Sequence, residues 1–281
     1  MKGGPLAERI RGEVADDVRE LGQVGLATLQ VGEEEASTVY LRLKHEAAAE
    51  AEIVSVDRKL PHAISEDELL GLVAQLNGDD AIDGILIQLP LPEHIDEARV
   101  IAAVDPVKDV DGFHPFNAGQ LYLGHPAHVP ATPLGVMALL AEYRIPLDGA
   151  RAVVVGRSNI VGKPVAHLLL QANATVTICH SHTDDLERHT LDADVLVVAA
   201  GVPEVVTADM VKGGSAVVDV GINRVEGGLV GDVEPDAAQR AAFITPVPGG
   251  VGPMTIAMLL ANTVRAARYR RRLLAFPGDP R

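Results

Sequence analysis

Cysteine is nearly absent: Cys179 is the single thiol in 281 residues. That excludes an internal disulfide framework and fits a reducing compartment, so the expected location is the cytoplasm. Its position at the end of an apolar strand marks Cys179 as a core residue. Tryptophan is missing and aromatics make up 3% of the chain, against a background rich in Ala, Val, Leu and Gly that is ordinary for a soluble globular protein. No run approaches the roughly 20 apolar residues of a membrane span, and the first residues lack the apolar segment of a secretory signal. Positive charge is also short: the net charge of −15 argues against nucleic acid or an anionic membrane as a partner. A phosphate-bearing ligand remains open, because local groups decide that.

What is present is organised around Arg151 to Pro164, RAVVVGRSNIVGKP. Ala152 to Val155 is a β-branched run of the kind that forms a buried parallel strand. It stops at Gly156, and Gly162-Lys163-Pro164 leads into an apolar-periodic helix through Val165, Leu168 and Leu169. Strand, glycine turn and helix start is how a nucleotide-binding fold offers backbone N–H groups and a helix dipole to phosphate. Against the Gly-x-Gly-x-x-Gly fingerprint, Ser158 takes the second glycine position and Gly162 comes one place late. An ordinary strand-to-helix turn would read the same way. The following strand, Thr175 to Cys179, ends in His180-Ser181-His182-Thr183, with no acid before Asp184 to bond a ribose 2′-hydroxyl. Arg157 lies in the glycine turn, where a guanidinium can pair with a 2′-phosphate. Both features favour NADP over NAD.

The length suits one large or two medium domains. In order, the pattern predicts a helix over Leu6–Leu21 with Ile10, Val14, Val18 and Leu21 on one face, and a strand over Val24–Gln30. A helix N-capped by Ser37 and running over Thr38–Ala51 follows, then a strand over Ile53–Val56, a helix over Glu66–Leu76 and a strand over Ile82–Leu89. Alternating elements make this half an α/β unit. Asp105 to Gly124 reads as irregular, and a helix from Pro130 to about Arg144 marks the domain boundary. Strands at 152–155, 175–179, 195–199 and 216–220 build a second α/β domain. The Gly- and Pro-rich loop Val247–Thr255 then opens a last helix to about Leu274. The fold class is α/β, with two α/β domains, the second Rossmann-like.

Three places could carry chemistry. Tyr40 and Lys44 are four apart and share a helix face. They are either an aromatic and a lysine on a solvated surface, or a stacking platform beside a proton-transferring amine; the second needs a lysine pKa well below about 10.4. Gln88, at the carboxyl end of its strand, either caps that strand or bonds a ligand or a lysine. Asp109 and Asp111 lie in a loop that is either a solvated turn or a clamp for an amino-heterocycle. His180 and His182 are the only close-spaced histidines and make poor metal geometry without a third ligand, so no metal is expected. No nucleophile elbow is visible.

Together these segments resemble one family, bifunctional methylenetetrahydrofolate dehydrogenase/methenyltetrahydrofolate cyclohydrolase. The matching pieces are SxxYxxxK (Ser37–Lys44), DGILIQLPLP (Asp83–Pro92), KDVDG (Lys108–Gly112), VVVGRSNIVGKP (Val153–Pro164), ATVTICHSHT (Ala174–Thr183), DVGIN (Asp219–Asn223) and PVPGGVGPMT (Pro246–Thr255). They occur in family order across nearly the whole chain.

The resemblance implies a folate-binding catalytic domain over 1–132, completed by the C-terminal helix at 255–281. It also implies an NADP-binding domain over 133–254, a cleft between the two, and a homodimer. The implied reaction is oxidation of 5,10-methylenetetrahydrofolate by NADP, followed by hydrolysis of the methenyl cation to 10-formyltetrahydrofolate. Carried over by position, Tyr40 stacks on the folate, Lys44 is the acid/base of the hydrolysis, Gln88 tunes Lys44, and Asp111 holds the pterin's amino group. Gly156, Arg157 and Ser158 cradle cofactor phosphates, with Arg157 and Ser181 at the 2′-phosphate and Ile222 on the nicotinamide side. Gly249, Gly250 and Gly252 line the cleft. The short start, MKGGPLAERI, reads as abbreviating a leading strand. Rival readings are a dehydrogenase without the hydrolytic step, a shikimate-type dehydrogenase, and a silent NADP-binding regulator. The last would have no reason to keep Tyr40, Lys44, Gln88 and Asp111 together.

Overall fold

A computed structural model describes residues 1–32 and 35–277, without the side chains of 35–41. The chain divides into two compact units, one of residues 9–131 and 256–281, the other of residues 1–8 and 132–255.

The elements run α1 (Gly4–Leu21), β1 (Gly25–Val31), α2 (Glu35–Glu50), β2 (Val54–Leu60), α3 (Glu66–Gly78), β3 (Gly84–Ile87), α4 (Glu97–Ala103), α5 (Pro115–Tyr122), α6 (Ala131–Glu142), β4 (Arg151–Val155), α7 (Gly162–Gln171), β5 (Thr175–Cys179), α8 (Leu186–Thr190), β6 (Val195–Val198), β7 (Ala216–Asp219), β8 (Asn223–Val225), β9 (Gly228–Val230), β10 (Phe243–Ile244) and α9 (Val251–Arg270).

In the unit of residues 9–131 and 256–281, the sheet has the order β2-β1-β3 and every pairing is parallel. Its strands β1 and β3 are buried on both faces and alternate between two cores, whereas the edge strand β2 is half-exposed. Leu86 packs with Val14, Val18, Leu26, Leu259 and Leu260, while Ile85 and Ile87 pack with Leu29, Leu69, Val73 and Val100. Asp83, at the entry to β3, is buried and accepts from the Gly25 N–H at 3.0 Å and from Arg270 of α9 at 2.7 Å. The ion pair fastens the last helix to the sheet. Residues 108–109 extend this sheet, since the Ile85 N–H donates to Lys108 O at 2.7 Å and Ile85 bridges Asp109 in parallel.

In the other unit, five parallel strands have the order β10-β7-β6-β4-β5. Strand β4 crosses through α7 to β5 on one side, and the chain then reverses to β6 on the other. That reversal is a topological switch point, and the carboxyl ends of β4 and β6 are where such sheets hold ligands. A β8–β9 hairpin follows β7.

Several sequence expectations need correction. Helix α2 starts at Glu35, so Ser37 lies within it and is not its N-cap; its side chain is outside the described residues. Residues 105–124 are not irregular throughout: α5 forms there because Pro115 sits at its first position and His114 Nδ1 accepts from the Phe116 N–H at 3.0 Å. Strand β3 ends at Ile87, which puts Gln88 just beyond it. Helix α9 begins at Val251, so Gly252 belongs to a helical turn and not to a loop. Among the described residues no strand precedes α1; the chain start is held by the Gly3 N–H on Gly249 O at 2.9 Å and by the Met1 ammonium on Ile244 O.

Candidate active site

The unit built on β1–β3 brings together Lys44, Gln88 and Asp111. Lys44 projects from α2 and its Nζ lies 3.3 Å from Gln88 Oε1; Gln88 Nε2 in turn donates to Leu89 O at 2.9 Å. Donation to Leu89 O fixes the amide so that its oxygen faces the lysine. The Lys44 ammonium is pushed below the ordinary lysine range by burial, with the charge of Asp111 acting the other way. Asp111 is held up at about 7, chiefly by burial and further by Asp109, against the pull of Lys44. A lysine lowered below its ordinary range beside a neutral amide, with a raised carboxyl near it, is an arrangement that can transfer protons. Tyr40 lies on α2, but its side chain is outside the described residues.

The two aspartates of the loop part company. Asp109 is buried and accepts from the Phe113 N–H at 3.2 Å, the His114 N–H at 2.8 Å and Asn117 Nδ2 at 2.8 Å. It holds the start of α5. Among the described residues nothing donates to the Asp111 carboxylate, which leaves it open to a ligand. Lys108, buried, gives its three protons to Leu76 O, Asn77 O and Asp79 O at 2.8–2.9 Å. It thereby closes the carboxyl end of α3 and anchors the loop that carries Asp111.

The other unit holds the remaining sequence-derived positions. Gly156 follows β4 with φ at +122°, and a Cβ there would stand 2.1 Å from Ala199 O, beyond the end of β6. At Gly162 a Cβ would stand 2.2 Å from Gly156 O. Both glycines are therefore required by close backbone approach. Ser158 Oγ accepts from the N–H groups of Val161 and Gly162 at 3.1 and 3.3 Å, bracing the turn that leads into α7. Among the described residues the N–H groups of Arg157, Ser158, Asn159 and Ile160 donate to nothing, and all four residues are exposed. Four unpaired donors before a helix start fit a pyrophosphate. Arg157 and Ser181 are exposed, and the 180–183 turn is set by Thr183 Oγ1 accepting from the His180 N–H at 2.8 Å. Ile222 is 41% exposed, and its Cδ1 lies 3.7 Å from where a Gly252 Cβ would be. Gly249 has φ at +103° and Gly250 has no room for a side chain, with Pro246 O at 2.6 Å from a Cβ.

Sequence reasoning missed two buried carboxylates here. Asp219 accepts from the N–H groups of Gly221, Asp232 and Val233 at 2.9, 2.9 and 3.1 Å. Burial still holds it at about 6. Asp232 accepts from the N–H groups of Ala200 and Gly201 at 2.7 and 2.8 Å and from Asn223 Nδ2 at 2.8 Å. The glycines at 221 and 231 were the available signal, because a Cβ at either would collide with one of these carboxylates.

Two family models match the chain: the tetrahydrofolate dehydrogenase/cyclohydrolase catalytic domain over residues 1–111 and the NAD(P)-binding domain of the same family over residues 130–271. The chain belongs to this family. The bifunctional protein FolD of Halothermothrix orenii is 56% identical over 274 residues, spanning 95% of this chain and 97% of that one. The solved structure of the bifunctional FolD enzyme from Campylobacter jejuni is 48% identical with a TM-score of 0.94, covering 96% of this chain and 98% of that one. A Trypanosoma brucei FolD, solved with NADP cofactor and an inhibitor, is 40% identical with a TM-score of 0.94, covering 97% and 98%. In family terms, Lys44, Gln88 and Asp111 fall in or at the end of the stretch matched as catalytic. Gly156, Arg157, Ser158, Ser181, Ile222, Gly249, Gly250 and Gly252 fall in the stretch matched as NAD(P)-binding.

Proposed function

We propose that the protein oxidises 5,10-methylenetetrahydrofolate with NADP and hydrolyses the resulting 5,10-methenyl cation to 10-formyltetrahydrofolate. The observation that carries the hydrolytic half is Lys44, depressed in pKa and 3.3 Å from Gln88 Oε1 beside an open Asp111. In this reading Asp111 accepts the amino and ring N–H groups of the pterin and so seats it against Lys44. Tyr40 supplies a stacking face for the same ring. NADP, when bound, supplies the hydride acceptor. The N–H groups of residues 157–160 and the hydroxyl of exposed Ser158 would hold its phosphates, Arg157 and Ser181 would hold the 2′-phosphate, and Ile222 would back the nicotinamide. Gly249, Gly250 and Gly252 keep that surface free of side chains.

Hydride transfer needs two rings held face to face, so positioning is the protein's main contribution to the first step. Loss of hydride leaves a methenyl carbon that is electrophilic without further activation. Water adds to it as neutral Lys44 Nζ takes one water proton. The carbon–N5 bond then breaks, N5 takes a proton from the ammonium, and the formyl group stays on N10. One proton is released overall. A lysine at its ordinary pKa would be protonated and unable to begin this sequence at neutral pH.

The reading includes a cytoplasmic homodimer. One buried thiol supports a reducing compartment, and no described helix is long and apolar enough to cross a membrane. Light scattering of the purified protein tests the dimer. The activity is tested by mixing the protein with methylenetetrahydrofolate and NADP or NAD, following reduced cofactor and methenyl product separately. Reduced cofactor without lasting methenyl compound, with NADP only, is the expected result. Methenyl compound accumulating at the rate of hydride transfer would leave a dehydrogenase alone, and no turnover would leave a cofactor-binding regulator.

A further inference from the structure

The loops at the carboxyl ends of β4, β6 and β7 are joined through one side chain. Gly156, in the turn after β4, lies against Ala199 O so closely that a Cβ would stand 2.1 Å from it. The next two residues after β6, Ala200 and Gly201, direct consecutive N–H groups onto Asp232 Oδ2 at 2.7 and 2.8 Å. Asp232 Oδ1 accepts from Asn223 Nδ2 at 2.8 Å, and Asn223 adjoins Ile222. Asp232 is fully buried, and its own N–H is held by Asp219 at 2.9 Å. A charged group buried without a cation is costly unless hydrogen bonds satisfy it. Here three N–H donors do so, two from the loop after β6 and one from the segment after the neighbouring strand β7.

We propose that Asp232 is a positioning residue for hydride transfer, holding the 199–201 and 222–223 loops at the separation that a nicotinamide–ribose requires. The inference rests on the dehydrogenase reading, because it takes Ile222 to face the nicotinamide. The carboxylate touches no reacting atom. It acts through backbone: the two N–H groups on Oδ2 fix the loop that Gly156 abuts, and Oδ1 fixes the residue after Ile222. A ring misplaced by about 1 Å costs a rate factor on the order of 100. Neither loop belongs to the unit that contains Lys44, so the hydrolytic step does not depend on this carboxylate.

The test uses the full-length wild-type protein, Asp232→Asn and Asn223→Ala, with both activities measured on each. Asparagine keeps the volume but presents an amide N–H to donors that need an acceptor; Asn223→Ala removes the Oδ1 partner, with its longer 3.3 Å bond to Gly231 O, at a half-buried position and leaves the two N–H groups on Oδ2 in place. The expected result for Asp232→Asn is a loss on the order of 100-fold in kcat/KM for NADP, and for Asn223→Ala a smaller loss of the same kind. Both variants should hydrolyse added methenyltetrahydrofolate at the wild-type rate with an unchanged KM. Wild-type dehydrogenase kinetics in either variant would overturn the inference while leaving the enzyme's activity intact. Parallel loss of both activities would also overturn it, as general destabilisation. A wild-type protein that fails to reduce NADP would sink the parent reading and the inference with it.

Discussion

Asp111 and Asp232 are both loop carboxylates next to a parallel sheet, one in each unit, and their surroundings treat them in opposite ways. Asp232 is saturated by three N–H donors, whereas among the described residues Asp111 has none and is held at about 7. The unit matched as NAD(P)-binding commits its buried carboxylates to backbone N–H donors. The other unit buries both Asp111 and Lys44, which holds the carboxyl up at about 7 and the lysine below its ordinary range, and it leaves Asp111 able to accept a ligand's N–H groups. Asp109, two residues from Asp111, shows that the contrast belongs to the local chain path and not to the unit as a whole. It is as fully engaged as Asp232, with three donors of its own.

The strongest way to break the comparison is Lys44→Met. Removal of a positioned acid/base costs about 10²–10⁴ in rate, so hydrolysis of the methenyl compound should fall by that factor while NADP binding is unchanged. Hydrolysis persisting near the wild-type rate would put the proton transfer elsewhere. Second, Gly156→Ala attacks the backbone-built side. A methyl group 2.1 Å from Ala199 O at φ of +122° cannot be relieved by a side-chain rotation. Strain of about 1–3 kcal/mol should appear in denaturant unfolding, together with weakened NADP binding.

Third, Arg157→Ala should weaken NADP by about 10- to 100-fold, the value of a lost charge-assisted hydrogen bond. NAD binding should hardly change, and equal losses for both would remove Arg157 from the 2′-phosphate. The smallest effect concerns stability. Asp111 rises from 3.8 to about 7 in the folded state, so between those values the folded chain keeps a proton that the unfolded chain has released. Its burial therefore lowers stability progressively from about pH 4 to pH 7, and the cost is complete above that. Asp111→Asn should raise Tm relative to wild type at pH 8 and make no difference at pH 3. The gain is reduced because Lys44 loses its counter-charge. A Tm difference that is flat with pH would mean that Asp111 is not held near 7.

Most of the framework was legible because both sheets are parallel and their central strands are buried. Runs such as Ala152–Val155 and Ile85–Ile87 have no other economical reading. The Gly156 turn was legible for a related reason, since glycine is forced where backbone meets backbone. The short helices were not. Helix α5 is specified by a proline and a histidine ring nitrogen in a stretch otherwise full of turn formers, and α9 starts four residues earlier than its glycines suggested. At the site, Lys44, Gln88 and Asp111 were found by spacing and motif, but nothing in KDVDG says which aspartate is consumed by the loop. That depends on where the N–H groups of Phe113 and His114 point. Asp219 and Asp232 were missed for a related reason: most of their partners are backbone donors, and the glycines at 221 and 231 were the only trace of them in residue types.

The division of the chain also sets an order of assembly. Residues 132–255 interrupt the unit that contains Lys44, yet Leu259, Leu260, Val264 and Ala267 belong to the same core as Val14, Val18 and Leu26. During synthesis at about 5–20 residues per second, that core lacks its last helix until all of the inserted unit has been made. Every strand of the inserted unit's five-stranded sheet lies between Arg151 and Ile244, so it can close on itself while its host is still incomplete. Lys44 is thus translated early and housed late, after the strands of the inserted unit have all been made.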